Sequence, residues 1–563
     1  VGAHAEARQT FEAALAMGTN TLAATEQLVA MDVEARDFTT AHQRVQQRVQ
    51  QMPSEALVWM MKAEVHLTQA RLDAPNATTH YTEAEKALRQ ALQLEPGNST
   101  ALMSLARAYL QAGQRDKALT ELNQVLEKDP SDVNALTLAA MLEGAAEKHD
   151  RARELYERVL KARPDSPVAL NNYAYLLSEQ FKDHDTARRH ALRARELAPD
   201  DPVIADTLGW IEYRRGQYAD ALRLLNEASA GLGKTPEFQF HLGMTHYMMG
   251  HEDAARAALT EAAAAADPFP GQATAREYLA MLQGGNVRPD EATIRALENR
   301  VKEAPGDLVA LTRLARAYEL TGAADKARDR YEAALKANPQ STPVLLGLAS
   351  LNVGPLKNST RALELARAAR SAAPGDPEVS FQAGRIALSA GDFSWAYTAL
   401  QDSARRLTNR ADVAHELAWA AFSQGRLDDA ARFMQSALAL NPEPALTSSG
   451  KAFLGMLQIA RSTAPGPQAA AEVQQVLQQN PQHGPALLAY GILAEGQGRS
   501  NDATNAYERL VARYPSLSPA SRNLAILYAD IPGAENRGYD LAVRAREAFP
   551  RDDAVAGALG KLA

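Results

Sequence analysis

The chain has 563 residues, 46% hydrophobic and 23% charged, so it has enough apolar surface to bury and disorder of the whole chain is excluded. It carries no cysteine, which excludes disulfide staples, thiolate nucleophiles, iron–sulfur clusters and cysteine-based zinc sites. The formal net charge of −8 argues against a dedicated nucleic-acid binder or a polybasic membrane anchor, and no run approaches the ~18 apolar residues of a membrane-spanning helix.

One pattern recurs along the chain with a period of 34 residues. Its template is Leu102, Leu105-Ala106, Tyr109, Gly113, Ala118, Leu122 and Pro130. It returns as Leu136, Ala139-Ala140, Ala152, Tyr156 and Pro164, then at Leu208-Gly209 with Gly216 and Ala221, and at Leu242-Gly243 with Gly250 and Ala255. The second half carries it at Leu314-Ala315 with Tyr318 and Gly322, Ala383-Gly384 with Gly391, Leu417-Ala418 with Gly425, Tyr490-Gly491 with Gly498, and Leu524-Ala525 with Tyr528. Units fall at 22–55, 56–98, 99–132, 133–166, 167–201, 202–235, 236–273, 274–307, 308–341, 342–376, 377–410, 411–444, 445–483, 484–517 and 518–552, numbered repeats 1 to 15 below.

Each unit reads as two amphipathic helices, A and B. Small residues such as Ala106, Gly209, Gly243 and Ala315 let the helices approach closely. Glycine at the end of helix A (Gly113, Gly216, Gly250, Gly322, Gly391, Gly425, Gly498) suits the left-handed turn there. Proline after helix B (Pro96, Pro130, Pro164, Pro305, Pro339, Pro442, Pro481, Pro515) stops the second helix. No single pair buries its apolar face, so stacking has to supply the core.

The period slips in three places. Repeat 2 is long, and Arg71–His80 reads as an extended turn between its helices. Repeat 8 is degraded, with Gly284-Gly285-Asn286 where helix A should end, and serves as the candidate hinge. The expected division is therefore an N-terminal array at 1–273, a degenerate hinge repeat at 274–307 and a C-terminal array at 308–563. Repeat 13 carries Ala464-Pro465-Gly466-Pro467, which reads as a loop. Both ends fall in mid-repeat, so Val1–Thr21 and Asp553–Ala563 read as capping helices or as parts of a longer array.

These residues resemble the tetratricopeptide repeat (TPR) family over nearly the whole chain. The resemblance implies an all-α fold, a right-handed α–α superhelix of about 14–15 helix-turn-helix repeats whose A helices line a concave groove.

The search for chemistry yields no catalytic constellation, no cofactor site and no metal site. Ala228–Thr235 (ASAGLGKT) satisfies a relaxed phosphate-loop pattern, but no strand precedes it, so it reads as an inter-repeat loop. His241, His246 and His251 are spaced by five residues, which scatters them around a helix, and Gly250 breaks that helix before the last.

On the inward face of helix A, Tyr175, then Trp210, Tyr213 and Arg214, then Phe240, Met244, Tyr247 and Met248 form a first cluster. Tyr175, Trp210 and Met244 recur every 34 or 35 residues as a ladder, a local enrichment in a chain only 6% aromatic. Phe381 and Arg385 with His415, Trp419 and Phe422 form a second. Both are candidate grooves for apolar or aromatic-bearing partner segments, and the competing reading is packing between neighbouring helices. The carboxylate clamp that the family uses on partner C-termini does not fit. Asn172 takes a clamp-like place, but Thr137, Met141, Val203 and Thr207 stand where its companions belong.

The chain is thus expected to be a non-enzymatic scaffold binding a protein or peptide partner. Three runs, Asn171–Tyr175 (NNYAY), Asp206–Ile211 (DTLGWI) and Phe240–Gly243 (FHLG), resemble bacterial TPR lipoproteins of exopolysaccharide-export and exosortase-linked systems, and the periplasmic TPR arms of cellulose-export proteins. That resemblance implies a periplasmic or outer-membrane-associated setting and a polysaccharide as a further partner. The alternative is the substrate-recruitment arm of a larger enzyme such as a glycosyltransferase.

Overall fold

The computed structural model describes residues 2–18, 21–282 and 290–563, and every regular element among them is helical. Each of the fifteen repeats contributes two helices, flanked by the helices Gly2–Ala16 and Asp553–Leu562. The fold class is the expected one, an all-α solenoid.

The physics of the pair follows the sequence closely. In repeat 3, Leu102, Leu105, Ala106 and Tyr109 of Ser99–Gln111 are buried against Ala118, Leu122 and Val125 of Arg115–Lys128. A Cβ on Gly243 would lie 2.7 Å from Leu259 Cγ and 3.1 Å from the Leu259 nitrogen, so helix approach at this position requires glycine. All seven glycines expected to end helix A adopt φ between +73° and +89°. The turn itself is stricter than its glycine. Arg36, Glu147, Lys182 and Lys357 occupy the same place in repeats 1, 4, 5 and 10 with φ between +54° and +60°.

Repeat 2 departs from expectation. Its extra residues lengthen both helices, to Ala56–Leu72 and Ala77–Leu94, with a single 3₁₀ turn at Ala74–Asn76 between them. Asp73 ends the first helix and Pro75 opens the short turn, but nothing in Ala77–His80 breaks a helix, so the second begins early. The loop expected in repeat 13 is present between Pro444–Arg461 and Ala469–Gln479.

The chain forms two compact units, Val1–Gly233 and Lys234–Ala563. The first holds repeats 1 to 6 and the second repeats 7 to 15. Gly284-Gly285-Asn286 lies outside the described residues, so a hinge there stays a proposal. Within each unit the A helices of successive repeats touch, as Pro167–Glu179 does Pro202–Arg214 and Thr342–Val353 does Pro377–Ala390. Neighbouring B helices do not pack this closely, so the A helices take the inner side of the local stack.

Candidate functional site

In the first unit the expected residues Trp210, Tyr213 and Arg214 share one helix, Pro202–Arg214, at spacings of three and four, so their side chains meet on one face. Trp210 is 3% exposed. The Tyr213 ring stacks on it at 4.5 Å and 4°, and the Arg214 guanidinium lies 4.8 Å over it. Arg214 Nε donates to Glu179 Oε1 at 2.8 Å, tying repeat 6 to repeat 5. Tyr175 and Tyr213 are half-buried and Arg214 is exposed. The A helices of repeats 4, 5 and 6 also carry exposed apolar side chains, Met141 (51%), Val168 (58%) and Val203 (49%).

In the second unit Phe240, Met244 and Tyr247 are buried on Pro236–Met249, with Met248 half-buried. Tyr247 is fully buried. Its hydroxyl donates to Asp307 Oδ1 at 2.6 Å, and the Tyr278 ring meets its own edge-to-face at 4.7 Å. Asp307 is the N-cap of Leu308–Leu320, accepting from the Ala310 N–H at 3.0 Å, while Arg300 Nε donates to its other oxygen at 2.8 Å. Next along, Asn338 Nδ2 donates to the Met248 carbonyl at 2.7 Å and Ser341 Oγ to the Met249 carbonyl at 2.9 Å. Helix A of repeat 7 is thus bonded to repeat 9 across the degraded repeat 8.

The second cluster is built alike. Phe381 is buried, with Arg385 5.6 Å and Arg410 5.4 Å over its ring. His415 is buried and shares a hydrogen with Ser449 Oγ through Nε2 at 3.1 Å; burial pushes its imidazole down to about 4. Phe422 is fully buried between Phe453 and Tyr514, and half-buried Trp419 meets Phe453 at 4.8 Å and His483 at 5.4 Å. Helix A of repeat 12 thereby reaches repeat 14 across the irregular repeat 13.

The two junctions correspond. Tyr247 and Phe422, Gly250 and Gly425, Asp307 and His483, and Pro343 and Pro519 hold equivalent places 175 or 176 residues apart. A Cβ on Gly250 would lie 3.3 Å from Pro343 Cγ, and one on Gly425 3.6 Å from Pro519 Cδ. The sequence reading missed Asp307 and His483, whose partners Tyr247 and Trp419 lie in the preceding repeat, and Asn338 and Tyr514, whose partners Met248 and Phe422 lie two repeats away. The signal available was the pairing of an irregular repeat with an aromatic at the end of the preceding helix A.

One expectation about histidines is corrected. His246 and His251 meet, Nδ1 to Nδ1 at 3.3 Å, because Gly250 at φ +80° folds the chain back beside its own helix. Burial and the neighbouring ring push His246 down to about 4. Among the described residues no group of three or more histidine, aspartate or glutamate side chains is arranged to hold a metal ion. Ala228–Thr235 lies at the end of Tyr218–Leu232 and in the following turn, with Thr235 capping Pro236–Met249; no strand precedes it among the described residues. No helix is long and apolar enough to cross a membrane among them.

Comparison with known proteins agrees with this geometry. Two family models, each described as tetratricopeptide repeat, match the chain, one over residues 77–142, 145–211 and 285–351, the other over 207–269, 381–445 and 466–518. A TPR repeat-containing protein of Pseudomonas aeruginosa is 34% identical over 167 residues, covering 29% of this chain and 27% of that protein. The cellulose synthase operon protein C of Pseudomonas fluorescens is 25% identical over 350 residues, covering 54% of this chain and 25% of that protein. The chain thus spans about a quarter of the length of these relatives. The crystal structure of a tetratricopeptide repeat protein from Parabacteroides merdae aligns with a TM-score of 0.37 and 17% identity, over 47% of this chain and 99% of that one. Helix pairs in a 34-residue register, left-handed turns between them and matches in both halves agree on one conclusion: the chain belongs to the tetratricopeptide repeat family.

Proposed function

We propose that the chain is a non-catalytic scaffold that binds an extended, apolar-bearing protein segment along the A helices of its first unit. The observation that carries this reading is the set of exposed apolar side chains on successive A helices: Met141, Val168 and Val203, at 51%, 58% and 49% exposure. Val168 and Val203 recur 35 residues apart, so they present the same face of neighbouring repeats. Tyr175, Tyr213 and Arg214 rim this surface, with Trp210 as the buried platform beneath. In the second unit the half-buried Met248 and Trp419 and the exposed Arg385 are the members of the expected set a partner would touch; Phe240, Met244, Tyr247, Phe381, His415 and Phe422 would support them from beneath. Alignment with the cellulose synthase operon protein favours a bacterial envelope assembly handling exopolysaccharide, with the polysaccharide as a second class of partner.

The test is selection of peptides from a phage-displayed random dodecapeptide library on the purified chain. Peptides with apolar or aromatic side chains are expected, binding at least tenfold more weakly to a Val168→Lys/Val203→Lys variant of unchanged helicity. Binding indifferent to that variant would sink the proposed surface.

A further inference from the structure

We infer that the second junction is a proton-released joint, with His483 as its latch. His483 is the N-cap of Gly484–Gly496, and its Nδ1 accepts the Ala486 N–H at 3.2 Å. That bond fixes the tautomer: Nδ1 carries the lone pair and Nε2 the proton. A proton arriving on Nδ1 removes the acceptor, leaves the Ala486 N–H without its cap and puts a positive charge at the positive end of the helix dipole.

Among the described residues no ion pair reaches this side chain. It is 7% exposed. The helix Ala411–Ser423 presents Trp419 to it, its ring 5.4 Å away. Its neighbour Gly484 packs on Phe422 and on Tyr514, whose hydroxyl accepts from Arg513 Nε at 3.0 Å. Asp412 and Glu416 on the same helix as Trp419 stand with His415 and Arg385. Burial alone holds the His483 imidazole down, to about 4.

The same atoms hold the junction. His483 on Trp419, Tyr514 on Phe422 and the 516–519 turn on Gly425 join helix A of repeat 12 to the two ends of repeat 14. The first junction has a carboxylate, Asp307, in the place of His483, bonded to Arg300 and Tyr247. Only the second has a cap whose acceptor atom is itself the site of protonation in mild acid.

An imidazole at about 4 in the closed joint and about 6.5 when released raises the open population about thirtyfold between about pH 7.5 and 5. Amide hydrogen exchange at Ala486, corrected for the intrinsic rate, reads this directly in the full chain. The expected result is that rise in the wild type and none in His483→Asn, whose amide caps at either pH. Protection that stays flat in the wild type, or a rise that persists in His483→Asn, overturns the inference. Should the variant not fold, the wild type with carbon-13-labelled imidazoles decides. A His483 midpoint below about 5.5, coinciding with loss of Ala486 protection, supports the joint; a midpoint near about 6.5, or protection that survives the titration, overturns it.

Discussion

Repeats 3 to 6 and the two junctions use the same helix pair to different ends. In repeats 3 to 6 side-chain bonds join adjacent repeats: Tyr109 to Glu85, Arg188 to Glu212, Arg214 to Glu179. At the first junction Tyr247 bonds Asp307 60 residues on, and Asn338 bonds Met248 at a separation of 90. A stack with nearest-neighbour contacts alone has a stability close to the sum of its parts. A junction that skips a repeat couples parts that the repeat law leaves independent. Repeats 8 and 13 are therefore each bridged by their two neighbours.

The contrast is sharpest in the N-caps. Asp307→Ala is expected to cost about 3 kcal/mol, because it removes a cap, leaves the buried Tyr247 hydroxyl without its acceptor and leaves Arg300 with Glu277 alone. Asp132→Ala, the equivalent cap in repeat 4, accepts only from the Ala135 N–H and is expected to cost about 1 kcal/mol. Urea denaturation of both variants measures the difference; equal losses would break the distinction between junction and regular stack.

Trp210→Ala comes next, at about 3 kcal/mol, since a side chain 3% exposed leaves a cavity when truncated. Tyr213→Ala, at the half-buried rim, is expected to cost less than half of that in the same thermal melts.

The pH response is smaller. The folded state holds His246 at about 4 against about 6.5 unfolded, so the unfolded chain binds more protons in mild acid. The stability that this pair provides is complete above about pH 6.5 and is lost as the pH falls toward about 4, up to about 2 kcal/mol by about pH 5. Denaturation midpoints across that range should show the slope, and His246→Gln should reduce it by this share, leaving that of His415 and His483.

The smallest effect tests the turn. Lys357 holds φ +54° where other repeats have glycine. Lys357→Gly relieves left-handed strain but loosens the unfolded chain, for a net gain below about 1 kcal/mol. A loss of stability instead would show that the lysine side chain contributes there.

Much of the fold is legible in the sequence because the information is local. Leu102, Ala106 and Tyr109 declare a helical face within eight residues, and Gly113 declares its end. The left-handed turn at Glu147 and Lys182 was not legible, since neither residue type prefers it; the register set by the flanking repeats imposes it. The lengthened helices of repeat 2 were misread as loop because extra residues carry no mark of which element will absorb them. In the candidate site, the sequence assigned Tyr175, Trp210 and Tyr247 to one inward face but could not separate a half-buried tyrosine from a fully buried one. Tyr213 and Tyr247 look alike in sequence; the second is buried because Asp307 and Tyr278 arrive from the following repeat.

By itself the sequence determined the period, the helix pair, the positions of most turns and the irregularity of repeats 8 and 13. Those depend on contacts within one repeat or between adjacent ones, which a 34-residue pattern encodes directly. Only the tertiary structure decided that each irregular repeat is bridged, that His246 meets His251, and that His483 stands where its counterpart is Asp307. These contacts depend on small rotations accumulated over several repeats and on a chain reversal at one glycine, and no local pattern records either.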